Sequence, residues 1–288
     1  MKKYMKIIRH GKSATHLTLE NNAKIVIMEK IDGANASFKR EGDKVIAFSR
    51  NNPLDETNTL RGFYNWVQEN VKVEDLEEGI IYFGEWLVRH KLDYGENENK
   101  FYLFDTYNEV ANTYLDFKHT KSEAFRLALN LVPVFYEGEF QSLEHIQSFI
   151  GKSKLGKVGE GVVVKNYDWT DRQGDQQFTK FISDEFAEVK QVKKQRVAPT
   201  TDLLDEFVGM NLTKARVDKI LHKLVDEGII EEDYDITDMG TILKNAGAKV
   251  YEDIIEEELD ELLKQVKSKI GRKLPTVIKE VLVAGGRA

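Results

Sequence analysis

The chain has no cysteine among its 288 residues. Disulfide scaffolds, cysteine-ligated zinc, iron–sulfur clusters and thiol nucleophiles are therefore excluded. It also lacks any apolar run approaching the ~20 residues of a membrane-spanning helix, so no membrane partner is expected. The segment Met1 to His10 is basic without an apolar secretory core, which leads to an expected cytoplasmic location. Internal repeats and low-complexity stretches are missing as well. What remains is a hydrophobic content of 41% with 32% charged residues, a soluble globular composition long enough for one large domain or two ordinary ones.

The formal net charge of -7 opposes a nucleic-acid partner until it is divided along the chain. Residues 1–198 hold 29 basic and 30 acidic groups, for a net of -1, and residues 199–288 hold the other 13 and 19, for a net of -6. The acidity belongs to the second segment. Within the first, residues 151–198 carry 10 basic against 7 acidic groups, which allows a local positive surface.

Period-two alternation and short apolar runs mark strands at Lys24 to Met28, Lys44 to Phe48, Ile80 to Phe83, Phe101 to Phe104 and Gly161 to Val164. Helical periodicity marks Thr59 to Glu69, Ser122 to Asn130 and Leu143 to Ile150. Arg40-Glu41-Gly42-Asp43 reads as a hairpin turn, and the mixture predicts an α+β core of antiparallel sheets flanked by helices over residues 1–198. After Pro199 the texture becomes helical, predicting a small all-α domain over 199–288. Thr213 caps a helix that stops at Gly228. Lys249 to Ile270 follows as an amphipathic helix, with Ile254, Ile255, Leu259, Leu262, Leu263 and Val266 facing inward. Pro275 then opens a last short helix. Leu212 to Ile230, ending in Asp-Glu-Gly-Ile-Ile, is also compatible with a winged-helix-like unit, although the acidity of residues 199–288 as a whole favours packing or partner contact over duplex binding.

The strongest chemical signal is Glu29-Lys30-Ile31-Asp32-Gly33-Ala34-Asn35, directly after an apolar strand. A lysine at a strand end can be held rigidly and partly desolvated, as a nucleophile requires, because an amine attacks only when neutral. A plain Asp-Gly hairpin fits the same residues. Five further segments follow: Ser49-Arg50, Tyr82-Phe83-Gly84-Glu85-Trp86, Phe101-Tyr102-Leu103-Phe104-Asp105, Glu160-Gly161-Val162-Val163-Val164-Lys165, and Thr179-Lys180-Phe181-Ile182-Ser183-Asp184-Glu185-Phe186-Ala187-Glu188. Together and in this order they resemble the motifs of the covalent nucleotidyltransferases, the superfamily of ATP-dependent DNA ligases, RNA ligases and capping enzymes.

That resemblance implies an adenylyltransferase core, ATP-grasp-like in its layout, and gives each residue a task. Lys30 is implied as the nucleophile that takes AMP from ATP. Glu29, Ile31 and Asn35 flank the nucleotide, and Arg50 forks to phosphate oxygens. Phe104 stacks on the purine. Glu85 and Glu160 are implied metal ligands for Mg²⁺, with Mn²⁺ able to substitute, since this cation uses few carboxylates and keeps several waters. Lys165 and Lys180 stand beside the triphosphate as catalytic cations and, as like charges, are expected to lower the pKa of Lys30. Taken singly, the glutamates fit solvated acids, the lysines snorkelling cations, Phe104 a core residue and Asn35 a turn.

One departure is Ile182, where the family's last motif usually has a second basic residue. Lys190, Lys193, Lys194 and Arg196 can replace it or form a solvated helix face. A helical appendage is similar to the phage-type RNA ligase 2 family, whereas DNA ligases and capping enzymes are expected to carry an OB-fold there. The implied activity is joining of RNA 3′-hydroxyl and 5′-phosphate ends, at a nicked duplex, by a monomeric enzyme, with a phage origin among those the resemblance allows. A DNA ligase, a capping guanylyltransferase and a non-enzymatic nucleic-acid-binding module are the rival readings.

Overall fold

The computed structural model describes residues 2–12, 15–20, 22–171, 173–183 and 203–284. Its strands and helices follow in the order β1 (Ile8–Arg9), β2 (Lys24–Lys30), β3 (Ala34–Glu41), β4 (Lys44–Ser49), α1 (Phe63–Asn70), β5 (Ile80–Trp86) and β6 (Phe101–Asn108). Then come β7 (Thr113–Tyr114), α2 (Phe117–Arg126), β8 (Asn130–Leu131), β9 (Val134–Glu139), α3 (Leu143–Gln147), β10 (Gly161–Lys165) and β11 (Thr179–Ile182). Three helices close the described chain: α4 (Leu203–Asn211), α5 (Lys214–Asp226) and α6 (Met239–Ala284).

The strands form two sheets, ordered β1-β11-β10-β2-β9 and β4-β3-β5-β6-β7, with β8 beside β6. Pairing is antiparallel apart from β1 with β11 and β6 with β8, so the α+β class is met. Strand β2 reads as an unbroken apolar run because both of its faces are covered. Ile25 and Ile27 pack with Val162, Val164 and Ile146, while Val26 and Met28 pack with Leu87 and Tyr102. The chain leaves the first sheet at Lys30 and enters the second at Ala34. The turn between is tight: a Cβ on Gly33 would lie 2.6 Å from the Trp86 carbonyl oxygen. The β3–β4 hairpin turns at Gly42, with φ 60°.

Helix α2 starts earlier than Ser122 because Asp116 accepts from the His119 amide at its N-terminus, and Asn130 pairs with Tyr102 in the sheet instead. Thr213 caps α5 by accepting from the Arg216 amide, and Gly228 ends that turn with φ 67°. Ile220 and Leu224 of α5 pack with Ile230 and with Ala246 of α6.

Two expectations for the tail are corrected. Pro275 lies inside α6 and does not open a separate helix. A proline removes one intrahelical hydrogen bond, but the long helix before it propagates cooperatively across that gap. Leu263 and Val266 are exposed, since α6 has left the body of the molecule by then and residues 263–284 are all exposed. Among the described residues no helix is long and apolar enough to cross a membrane. Asp184 to Glu188, and the basic run Lys190, Lys193, Lys194 and Arg196, lie outside the described residues.

Candidate active site

A cavity of about 360 Å³ opens between the two sheets. Its wall includes all ten residues that the sequence singles out: Glu29, Lys30, Ile31, Asn35, Arg50, Glu85, Phe104, Glu160, Lys165 and Lys180. Its size falls in the range of about 300 to 1,000 Å³ typical of small-molecule sites. Helices α5 and α6 complete the wall with Lys219, His222, Lys223, Asp226 and Glu257, residues the sequence reading did not place there. No local motif marks them; only the tertiary packing of the helical region brings them in.

Lys30 ends β2, and Gly161 of β10 is its register partner. Glu160, one residue before β10, is thereby brought beside the amine, with Lys30 Nζ donating to Glu160 Oε2 at 2.5 Å. Gly161 has no alternative, since a Cβ there would sit 2.1 Å from the Phe181 carbonyl oxygen. Burial disfavours the Lys30 charge, but the Glu160 carboxylate overrides it, with Asp32 and Glu85 adding to the effect, and the amine is held above the ordinary lysine range. This reverses the expected lowering. The reason is that an acid, not Lys165 or Lys180, is the nearest charged neighbour of Lys30. Glu160 itself is pushed up by burial and pulled back by Lys30.

The amine of Lys165, 2% exposed, donates to the Phe104 carbonyl at 2.9 Å and to Asp105 Oδ2 at 2.7 Å. Asp105 also accepts from Tyr4 at 2.5 Å and Tyr167 at 2.7 Å. The sequence reading missed this carboxylate as the hub of the network, although a lone acid inside an aromatic strand is a visible signal for a buried partner. Burial pulls the Lys165 pKa down despite Asp105. The Phe104 ring lies 4.8 Å from the Tyr4 ring and 5.1 Å from the Lys165 amine.

Lys180 on β11 faces Glu257 of α6 at 3.4 Å. Glu29 is buried and turned toward a loop, where Ser153 Oγ and the Lys154 amide donate to it. Asn35 pairs with Glu85 across β3 and β5. Ile31 is buried in an apolar cluster, and Arg50 follows directly on β4 at the rim.

A second bridge crosses the turn after Lys30. The His90 ring lies 3.5 Å from Asp32 Oδ1 and 3.3 Å from Asp226 of α5. Burial opposes its charge, yet the two acids raise its pKa to about 10. Asp32, which burial would raise, is brought down to about 2 by His90, Lys30 and the Lys91 amide.

Glu85 accepts from the Gly33 amide at 3.2 Å. Burial, with Asp32 and Glu160 nearby, pushes it up to about 8 although Lys30 and His90 pull it down. A carboxylate so poorly neutralised in an acid-rich wall fits a hard divalent cation, which needs few protein oxygens.

The fold is similar to solved structures of Naegleria gruberi RNA ligase. A variant of that protein with ATP and manganese has 23% identity and a TM-score of 0.50, covering 63% of this chain and 56% of that one. A second such variant, also with ATP and manganese, has 22% identity and a TM-score of 0.52, covering 65% and 57%. A third structure, with pyrophosphate, has 24% identity and a TM-score of 0.51, covering 65% and 57%. The chain thus spans little more than half the length of these proteins. No curated protein sequence matches it. Residues 23–182 match the family model for RNA ligase, and the chain belongs to the RNA ligase family.

Proposed function

We propose that this chain is an ATP-dependent RNA ligase of the RNA ligase 2 type. In this reading residues 1–198 form the adenylation domain and 199–288 an appended helical domain. The observation that carries it is Lys30, held at the seam of two sheets on the wall of a nucleotide-sized cavity with Glu160 2.5 Å from its amine.

The Lys30 Nζ attacks the α-phosphorus of ATP; a P–N bond forms, the P–O bond to pyrophosphate breaks, and lysyl-AMP results. The amine is nucleophilic only after its ion pair with Glu160 is broken, and Glu160 Oε2 is positioned to receive its proton. Lys180 and Arg50 offset charge on the departing pyrophosphate, while Phe104 holds the purine. A divalent cation held by Glu85 and Glu160 would supply further positive charge to the phosphates. The RNA 5′-phosphate then attacks the lysyl-AMP phosphorus, breaking the P–N bond and giving an RNA-adenylate. Last, the 3′-hydroxyl attacks the 5′-phosphorus and AMP leaves. Holding these ends in line supplies much of the rate. The substrate in this reading is RNA with ends meeting at a nick, and the enzyme acts as a cytoplasmic monomer.

The test is incubation with α-labelled ATP and Mg²⁺, followed by denaturation. Label should stay on the wild type and vanish in Lys30→Ala; equal labelling of both overturns the reading. GTP in place of ATP, and nicked DNA in place of nicked RNA, separate the capping and DNA-ligase alternatives.

A further inference from the structure

The helical region closes one side of the cavity through charge. Lys6 meets Glu256 at 2.7 Å, Lys12 meets Glu258 at 2.6 Å and Lys180 meets Glu257 at 3.4 Å. In each pair the sheet region supplies the cation and α6 the acid. None of the apolar clusters among the described residues joins the two regions. A space of about 110 Å³ remains between them beside Lys6, Arg9 and Lys12, and Arg9 Nη2 in that wall is buried without a hydrogen-bond partner among the described residues.

Three successive carboxylates on a row of lysines leading into the Lys30 cavity reproduce what a phosphate backbone would offer. We propose that Lys6, Lys12 and Lys180 form a binding surface for RNA phosphates, and that Glu256, Glu257 and Glu258 of α6 mask it until RNA displaces them. This rests on the ligase reading for the identity of the polyanion. Only the Lys6–Glu256 pair has an exposed acid and is weak and screened by salt. Glu257 and Glu258 are largely buried but keep Arg216 of α5 as a partner when they leave the lysines, and a polynucleotide gains from counterion release at every phosphate contacted. The exchange therefore favours RNA. It also gives the acidic segment a use that its net charge alone would deny, since its acids compete with substrate without touching it.

The test uses the full chain and a fluorescent nicked RNA duplex, with anisotropy measured across KCl concentrations and without ATP. Lys6→Gln/Lys12→Gln should weaken binding and reduce the slope of log K against log salt by roughly 1.5 to 2, the share of two phosphate contacts. Glu256→Gln/Glu257→Gln should tighten binding by roughly fivefold at low salt, the scale of one exposed ion pair. Glu256→Gln alone, at an exposed position, serves if the double variant fails to fold. An unchanged slope in the lysine variant overturns the proposal, as does unchanged or weaker binding in the glutamate variant. Covalent labelling from α-labelled ATP is read separately: its absence from the wild type sinks the ligase reading, while the binding comparison still decides the masked surface.

Discussion

Replacing Glu160 by glutamine tests the electrostatics of the nucleophile directly. Lys30 and Glu160 are 2.5 Å apart, with side chains 25% and 11% exposed. Taking the charge centres as about 4 Å apart, an effective dielectric of about 20 gives about 4 kcal/mol of attraction. If half survives screening and local relaxation, about 2 kcal/mol remains, which is about 1.5 pKa units. Asp32 and Glu85 stay in place, so the shift reports Glu160 alone. The assay is labelling of Lys30 by a reagent that attacks neutral amines, followed at stepped pH by peptide mass. In the wild type the midpoint should lie above the ordinary lysine value of about 10.4. In Glu160→Gln it should fall by about 1.5 units, making Lys30 roughly 30-fold more reactive near pH 8. An unchanged or higher midpoint in the variant refutes the claim that Glu160 holds the proton on Lys30.

The His90 bridge makes a second prediction. Its pKa is raised to about 10, so its stabilising contribution is full below about 6.5 and is lost as pH rises through 10. Thermal unfolding of wild type and His90→Gln should accordingly differ most between about pH 4 and 6.5, narrow below that as Asp32 is protonated, and converge above 10. Gly33→Ala should lower stability by about 1 to 3 kcal/mol in denaturant melts, because its Cβ meets the Trp86 carbonyl at 2.6 Å. Glu85, raised to about 8, is largely protonated at pH 7, so Mg²⁺ binding there should release close to one proton. Calorimetry in buffers of different ionisation enthalpy reads that release, which Glu85→Gln should abolish.

Much of the core was legible because strand and motif coincide. Lys30, Glu160 and Lys165 all stand at strand ends whose apolar alternation is plain, and strand pairing then brings them to one wall. The direction of the Lys30 shift was not legible, since it depends on which charge lies nearest in space. Asp105 escaped for the same reason: its hydrogen-bond partners come from two distant segments, Tyr4 near the start of the chain and Lys165 with Tyr167 at the end of β10. The continuation of α6 through Pro275 ran against a local rule that long-helix cooperativity overrode. The contribution of α5 to the cavity required knowing how the helical region docks, for which Asp226, Lys219 and Lys223 carry no signature of their own.

The three-residue passage from β2 to β3 has a mechanical consequence. Lys30 is anchored on one side by the pairing of its own sheet, while Gly33, three residues on, is fixed against Trp86 and Glu85 of the other. A slide of one sheet across the other would have to be absorbed within Ile31 to Gly33, so the amine acts as a gauge of their alignment. Packing changes far from the cavity, in the apolar layers beneath either sheet, would reach the reacting atom through backbone geometry before any charge had altered.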